Sequence, residues 1–299
     1  MRVLCFGSLN IDYTYTVPHF VGAGETLPAA QLRVFCGGKG LNQSVALSRA
    51  GLEVSLAGAI GEDGRFLLEY LRGCGVDTRY VEVLPELRTG HAIIQNDARG
   101  DNCILVYGGA NKCTTREHAD RVLAKFGAGD LLVLQNEINE LGYLLQTAAA
   151  RGMRVALTPA PLTESVRELP LHCVDYLFLN EVEALQLLDG EIDPETEPLR
   201  AASELRRRYT SAAVLLTLGE RGSVYVDGGT QLRQQAVPVQ AVDSTGAGDT
   251  YMGYFLAGRL SGMEIARAMR FASLAAAIAV SRPGASSSVP ARDEVLAGL

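Results

Sequence analysis

Residues 241–250, Ala-Val-Asp-Ser-Thr-Gly-Ala-Gly-Asp-Thr, place three small residues directly before an acid and a long apolar segment. Gly246, Ala247 and Gly248 leave their backbone N–H groups unshielded, and the apolar segment after Asp249 predicts a buried helix. N–H groups at a helix N-terminus lack intrahelical acceptors and bind anions. A carboxylate beside a bound phosphate is placed to accept a proton from an attacking hydroxyl, so the spacing suits phosphoryl transfer.

The same stretch also allows two simpler interpretations. The Gly-Ala-Gly run is compatible with a tight turn, and Asp249 is compatible with an acid that only caps a helix. The spacing alone leaves these alternatives open.

A second group of polar residues lies near the N-terminus, at the ends of predicted elements. Asn10 and Asp12 follow the apolar run at residues 2–6, and a glycine-rich turn at 37–40 opens a helical pattern. One carboxylate accepts hydrogen bonds from two neighbouring hydroxyls, so Asp12 suits a sugar diol. An Asx turn and an ordinary glycine turn are the alternatives. The ligand candidates in this group are Asn10, Asp12, Gly38, Lys39 and Asn42.

Both stretches resemble signatures of the ribokinase-like (PfkB) sugar kinases. Residues 243–249 match the family pattern D-T-x-G-A-G-D, with Ser244 in place of the commoner threonine. The N-x-D and G-G-K-G-x-N patterns of the N-terminal group resemble the family's sugar-binding signature. The similarity extends in chain order over residues 7–288.

The resemblance implies a role for each candidate. Asp249 would accept the proton of the sugar hydroxyl, while the N–H groups of Gly246, Ala247 and Gly248 stabilise charge on the transferred phosphate. The implied sugar-binding residues are Asn10, Asp12, Gly38, Lys39, Asn42, Glu137 and Asp249 itself. The implied nucleotide-binding residues are Asn180, Glu183, Thr217, Gly219, Gly222 and Gly248. Asn180 and Glu183 would order Mg²⁺ and the phosphates through water, as suits a cation that retains its waters.

The resemblance also implies a site for a monovalent cation, with K⁺ as activator, built from backbone oxygens. Its matching positions are Asp243, Thr245, Ala279, Arg282, Gly284 and Ser288. Pro283 stands where the family frequently has a basic residue. Simpler alternatives are a plain C-terminal connector here, a solvated loop charge at Glu137, and a capping box made by Asn180 and Glu183.

The elements that must position these residues follow an α/β pattern. Short apolar runs alternate with helical patterns at residues 2–6, 54–57, 130–134, 154–157, 176–180 and 214–218. We predict one domain over residues 1–299, with a doubly wound, mostly parallel sheet flanked by helices. Segments 13–34 and 90–107, in which apolar and polar residues loosely alternate, do not follow this strand–helix pattern and predict a small separate β-sheet. The resemblance implies that this sheet is a lid over the sugar and a homodimer surface.

The composition narrows the class of partner. A net charge of −7 argues against a nucleic-acid or anionic membrane surface, because either would need a broad basic face. The longest apolar run, residues 274–280, is far short of the ~20 residues that a membrane span requires. The N-terminus lacks the pattern of a signal peptide, and six scattered cysteines suggest free thiols. We expect a cytoplasmic enzyme.

These observations lead to one functional prediction with two alternatives. The resemblance implies an ATP-dependent kinase that transfers the γ-phosphate to the primary 5-hydroxyl of D-ribose. The first alternative is a kinase on the same scaffold that acts on 2-deoxyribose, fructose or a nucleoside. The second is a non-catalytic protein that binds sugar or nucleotide, although the intact Gly-Ala-Gly-Asp run argues against it.

Overall fold

The computed structural model describes residues 1–99, 101–210 and 212–299 as two β-sheets and nine α-helices. The strands in chain order are β1 (Val3–Phe6), β2 (Asn10–Thr16), β3 (Gln31–Gly37), β4 (Val54–Ile60), β5 (Asp77–Val83), β6 (Gly90–Asn96), β7 (Asn102–Tyr107), β8 (Leu131–Gln135), β9 (Arg154–Thr158), β10 (Tyr176–Asn180), β11 (Ala213–Thr217), β12 (Ser223–Val226) and β13 (Gln231–Gln234). The helices are α1 (Lys39–Arg49), α2 (Arg65–Gly73), α3 (Arg116–Leu123), α4 (Leu141–Ala150), α5 (Glu181–Leu187), α6 (Pro198–Tyr209), α7 (Ala247–Leu260), α8 (Ile265–Val280) and α9 (Arg292–Leu296).

The large sheet has the strand order β13-β12-β11-β10-β9-β8-β1-β4-β5. Seven neighbouring strands of this order, β11-β10-β9-β8-β1-β4-β5, are parallel to one another. Strand β12 is antiparallel to β11, and β13 is antiparallel to β12. The chain proceeds from β1 outward through β4 and β5, then returns to β8 on the other side of β1. The order therefore reverses between β1 and β8, and open α/β sheets bind ligands at the carboxyl ends of strands beside such a point.

Helices cover both faces of the large sheet. Successive residues of β1 belong to different cores, since Val3 and Cys5 pack with α1, α7 and α8, while Leu4 and Phe6 pack with α3, α4 and α6. This alternation follows from the two-residue period of a strand, and burial on both faces explains the continuous apolar runs. The predicted fold class, a doubly wound and mostly parallel sheet with a separate small sheet, is confirmed.

The small sheet has the order β3-β2-β6-β7, in which β2 is parallel to β6 and the other neighbours are antiparallel. Its strands extend beyond the predicted segments, because β2 already begins at Asn10 and β3 ends at Gly37, directly opposite Asn10. Asp12 therefore lies on the first strand of this sheet. Gly100, in the predicted turn between β6 and β7, lies outside the described residues.

Three strands of the large sheet have no counterpart in the predicted pattern. Strand β5 is an edge strand whose residues are mostly half-buried, β12 has four residues, and β13 alternates exposed and half-buried positions with the sequence Gln-Leu-Arg-Gln. None of these gives the long apolar run of a central parallel strand. Among the described residues, no helix combines the length and the apolar character that crossing a membrane requires.

Candidate active site

The exits of β1 and β8 meet at the N-terminus of α1. Gly38 is the residue before α1, has a φ of 91°, and provides no side-chain cap. The Glu137 carboxylate takes the place of that cap: Oε2 accepts from the Lys39 backbone N–H at 3.0 Å and from the Ser8 hydroxyl. Anions are stabilised at this end of a helix. Glu137 is therefore half-buried and anchored in the crevice, in contrast to a solvated loop charge.

Asp12 lies beside Glu137 in the same crevice. A Cβ on Gly37 would come within 1.9 Å of Asp12 Oδ2, so glycine at this position leaves room for the carboxylate. Burial, together with the negative charge of Glu137, raises the pKa of Asp12 to about 7. The two acids thus share one partly desolvated pocket.

Asn111 holds Asn10 in place and was not predicted from the sequence. Asn111 Nδ2 donates to Asn10 Oδ1 at 2.7 Å and to the Leu9 carbonyl at 3.2 Å, and its Oδ1 accepts from the Leu9 N–H at 3.0 Å. Asn111 follows β7 at the point where the chain returns to the large sheet. The glycines before it mark that return, but they do not indicate which strand the amide contacts.

Asp249 lies in the first turn of α7, after Gly246 in the left-handed conformation. Its side chain is buried but reaches the crevice, since Oδ2 accepts from Asn42 Nδ2 at 3.2 Å and Oδ1 accepts from Gln43 Nε2 at 2.9 Å. Burial raises the pKa of Asp249, the Lys39 charge and the two amides lower it, and the net direction is upward. Asp249 is thus a stronger base than an exposed aspartate.

The Asp249 carboxylate lies close enough to the pocket of Asp12 and Glu137 for their charges to interact. The charge of Glu137 raises the pKa of Asp249 as well as that of Asp12. Asn42 Oδ1 is buried and has no hydrogen-bond partner within the described ranges of the chain. Because an unsatisfied buried oxygen is costly, this atom fits a ligand hydroxyl.

The N-terminus of α7 offers unpaired donors. Ala247 N–H donates to the Ser244 carbonyl at 3.2 Å, so this predicted donor is already engaged. The N–H groups of Gly246, Gly248 and Asp249 have no acceptor among the residues that the structure describes. A Cβ on Gly248 would meet open space, which shows that this residue faces a cleft. The arrangement is suited to an anion.

A cavity of about 560 Å³ begins at Ala247 and Gly248 and extends to α8, a volume typical of small-molecule sites. Thr217, Gly219 and Gly222 line it, as the sequence predicts for a nucleotide site. Its apolar walls were not predicted, because they come from an irregular segment and from one side of α8. They include Val237, Pro238, Val239, Ala276, Ala277 and Val280.

Asn180 and Glu183 form a capping box at the start of α5. Asn180 Oδ1 accepts from the Glu183 N–H at 2.8 Å, and Glu183 Oε2 accepts from the Asn180 N–H at 2.9 Å. The box uses only one oxygen of Glu183. Burial raises the pKa of Glu183. The charge of Lys39 lowers this pKa and that of Asp249 raises it, so the carboxylate borders the same crevice.

Lys39 is the cation of the crevice. Burial lowers its pKa, but Asp249, Glu137 and Glu183 raise it, and the net direction is upward. No carboxylate of the described chain lies within 4.0 Å of its ammonium group. The charges of three acids therefore act on Lys39 without a direct ion pair, which leaves its ammonium group available to a ligand.

The positions predicted for a monovalent cation come together at the start of the signature and the C-terminal loop. Asp243 Oδ2 accepts from the Gly284 N–H at 2.8 Å, Asp243 Oδ1 accepts from the Thr245 N–H at 2.9 Å, and the Asp243 N–H donates to Val280. Ser288 is buried in the same loop. One of the predicted carbonyls, that of Ala279, already accepts from the Arg282 N–H, and the Arg282 side chain pairs with Glu294, so only its backbone oxygen is a candidate ligand. Within the described residues, no group of three or more His, Cys, Asp or Glu side chains could hold a metal ion.

A buried acid between a polar crevice and an apolar cavity, at the switch point of a doubly wound sheet, suits phosphoryl transfer and indicates a phosphotransferase. The sequence profile of the pfkB family carbohydrate kinases matches residues 1–292. The chain belongs to the pfkB family of carbohydrate kinases, and the predicted family is confirmed.

Proteins of this family with known activity are similar over nearly the whole chain. A ribokinase of Haemophilus influenzae is 35% identical over 294 residues, covering 97% of this chain and 95% of the relative. The structure of a Cryptococcus neoformans ribokinase in complex with ADP has a TM-score of 0.87 and 33% identity, covering 100% and 99% of the two chains. An Arabidopsis thaliana ribokinase complexed with ribose and ATP has a TM-score of 0.87 and 29% identity, covering 99% and 97%.

Proposed function

We propose that this chain is an ATP-dependent kinase that phosphorylates the primary 5-hydroxyl of D-ribose, giving D-ribose 5-phosphate. The observation that carries the proposal is the position of Asp249, between the crevice that holds Asp12 and the cavity that ends at Gly248. The similarity to ribokinases, including one complexed with ribose and ATP, favours ribose as the acceptor.

The crevice supplies groups that complement a polyol. Asp12 and Glu137 accept hydrogen bonds from hydroxyls, and the unpaired Asn42 Oδ1 accepts one more. Asn10 and Gly38 complete the wall, and Lys39 donates toward the sugar or the phosphate. These contacts fix the sugar so that one hydroxyl faces Asp249, which turns a bimolecular encounter into an oriented reaction.

In the reaction, Asp249 accepts the proton of the 5-hydroxyl as its oxygen attacks the γ-phosphorus of ATP. The free N–H groups of Gly246, Gly248 and Asp249 face the charge that develops on the transferred group. Preorganised donors of this kind are each worth about 3 kcal/mol. Lys39, with no direct ion pair in the described chain, neutralises the same phosphoryl group.

The cavity beside Gly248 takes the nucleotide, with Thr217, Gly219 and Gly222 at its polar side. The residues fit Mg²⁺ held through water, because Glu183 keeps one carboxylate oxygen free beside Lys39 and Asp249. When bound, Mg²⁺ would neutralise phosphate charge. Asn180 holds the Glu183 backbone and so orients its carboxylate.

The loop around Asp243 and Gly284 fits K⁺ as an activator, because its candidate ligands are carbonyl oxygens and it is tied directly to the signature. A cation there would fix Thr245 and, through it, the start of α7. We also propose that the protein is cytoplasmic, since all six cysteines are free thiols.

We propose that the small sheet is a lid and that two copies of the chain pair through it. Val34, Tyr13, Ile93 and Leu105 lie opposite one another across the four strands, on the face away from Asp12. Leu105 is 68% exposed, and β7 forms an edge with unpaired backbone groups. An apolar face with an open edge is a surface that a second copy can cover.

Leu105→Glu tests the dimer. The charge would be buried in the interface, so we expect sedimentation to show a dimer for the parent protein and a monomer for this variant. Leu296→Glu, at a 38% exposed apolar position on α9, is the control and should stay dimeric. A parent that is monomeric, or a Leu105→Glu variant that remains a dimer, contradicts the proposal.

The function is tested by ADP release from the purified protein with ATP and Mg²⁺. The acceptors are D-ribose, 2-deoxy-D-ribose, D-fructose and a nucleoside, each with K⁺ or with Na⁺ in its place. We expect the highest kcat/KM for ribose and a higher kcat with K⁺. Preference for another acceptor would indicate a different pocket on the same scaffold. Calorimetric binding of ATP and ribose without ADP release would indicate a non-catalytic binding protein.

A further inference from the structure

Two buried glutamines connect Asp249 to the centre of the large sheet. Gln43 lies on α1 and Gln135 ends β8, and both side chains are fully buried. Gln135 Nε2 donates to Gln43 Oε1 at 2.6 Å, and Gln43 Nε2 donates to Asp249 Oδ1 at 2.9 Å. Gln135 Nε2 also lies 3.5 Å from the Cys5 thiol. The chain of contacts thus leads from β1 and β8 to the carboxylate.

The contacts fix which way the Gln43 amide points. Its oxygen receives the N–H of Gln135, so its NH₂ group must face Asp249, and an ionised carboxylate can only accept. A Cβ on Gly7 would come within 2.1 Å of Gln135 Oε1, so glycine in β1's exit leaves the space for this amide. Burying two primary amides is costly, and Gln135 Oε1 has no hydrogen-bond partner among the described residues, which argues for a role beyond filling space.

We propose that Gln43 is a positioning residue for Asp249, and that Gln135 sets the orientation of the Gln43 amide. The inference rests on the proposed role of Asp249 as the base. Gln43 holds Oδ1 against the sheet, which leaves Oδ2, beside Asn42, directed to the sugar hydroxyl. A base held by locked neighbours keeps the orientation that proton transfer requires.

The hydrogen bond from Gln43 also affects the pKa of Asp249. The groups that face Asp249 are Lys39 and the Asn42 and Gln43 amides on α1, Glu137 after β8, Glu183 on α5, and the Cys5 thiol. Burial raises the pKa of Asp249, and the hydrogen bond from Gln43 opposes that shift. Loss of this donor should therefore move the acidic limb of the kcat profile to higher pH.

Gln43→Met tests the inference, because methionine keeps the length and the apolar stem but cannot donate. We expect kcat for ribose to fall about 10- to 100-fold, since a misplaced base costs about that much, with KM for ribose and ATP within about twofold. The midpoint of the acidic limb should rise by about 0.5 to 1 pH unit. Thr158→Val is the matched control, because it removes the other contact of Gln43 Nε2, at 3.3 Å, and should keep kcat within about twofold.

Gln135→Met provides a second variant that leaves the Gln43–Asp249 contact available but frees the Gln43 amide to turn. We expect a smaller loss of kcat, about 3- to 10-fold, with the pH midpoint displaced in the same direction. Unchanged kcat and midpoint in Gln43→Met, or in Gln135→Met where the first variant does not fold, overturn the inference. A parent protein that releases no ADP, or an active Asp249→Asn variant, overturns the proposed function instead.

Discussion

Asp249→Asn lowers kcat for ribose by about 10³- to 10⁴-fold, at the upper end of what general-base catalysis contributes. The asparagine side chain has the same shape, and its amide oxygen still accepts from Asn42 or from Gln43, so the crevice keeps its form. It cannot accept the hydroxyl proton. We expect calorimetry to give Kd values for ATP and ribose within a few-fold of the parent, while ADP release becomes nearly undetectable.

Asp130→Asn is the matched control for this variant. Asp130 and Asp249 are both aspartates with 8% exposure, but Asp130 pairs with Arg2 at the opposite end of the sheet. Its loss should lower the midpoint of thermal unfolding and leave kcat close to that of the parent. If Asp249→Asn turns over at a near-parental rate, Asp249 is not the base. If it binds neither ligand, the residue is structural.

The sequence predicts the parts of the fold in which burial produces a simple pattern. Strands such as β1 and β8 are buried on both faces and read as unbroken apolar runs, so their positions were predicted within one or two residues. Strands β5 and β13 form the two edges of the sheet, where solvent contact permits mixed residues, and β12 is buried but has only four residues. Pairing with a neighbour determines these strands, and that pairing depends on contacts distant in the sequence.

The residues of the site also differ in how well the sequence predicts them. Asp249, Lys39 and Asn42 stand in glycine-rich signatures, where the need for close backbone approach restricts the residue types. Gln43 and Asn111 have no such signature, because a buried amide is recognisable only when its partners are known. The apolar walls of the cavity come from α8 and from an irregular segment before the signature, and their residue types are common in any core.

Asp12→Ala lowers kcat/KM for ribose by about 100- to 1,000-fold, because it removes a carboxylate that accepts from two hydroxyls, and hydrogen bonds to charged groups are worth about 1.5 to 3 kcal/mol each. The Kd of ATP should not change, since Asp12 is not among the residues that line the cavity. Initial rates over a range of ribose concentrations measure the effect. An unchanged kcat/KM would place the sugar elsewhere.

The pH dependence of the same residue distinguishes a role as carboxylate acceptor from a role in packing. Burial, with Glu137 adding to it, raises the pKa of Asp12 to about 7 from the ordinary 3.8, so kcat/KM for ribose should rise with pH through about 7 and then level off. Between these two values the folded protein binds more protons than the unfolded chain, so Asp12 makes stability fall as pH rises. Asp12→Asn should therefore remove the inflection near pH 7 and, at pH 8, raise the midpoint of thermal unfolding. Retention of that inflection in Asp12→Asn would assign it to another group of the crevice, Asp249 first among them.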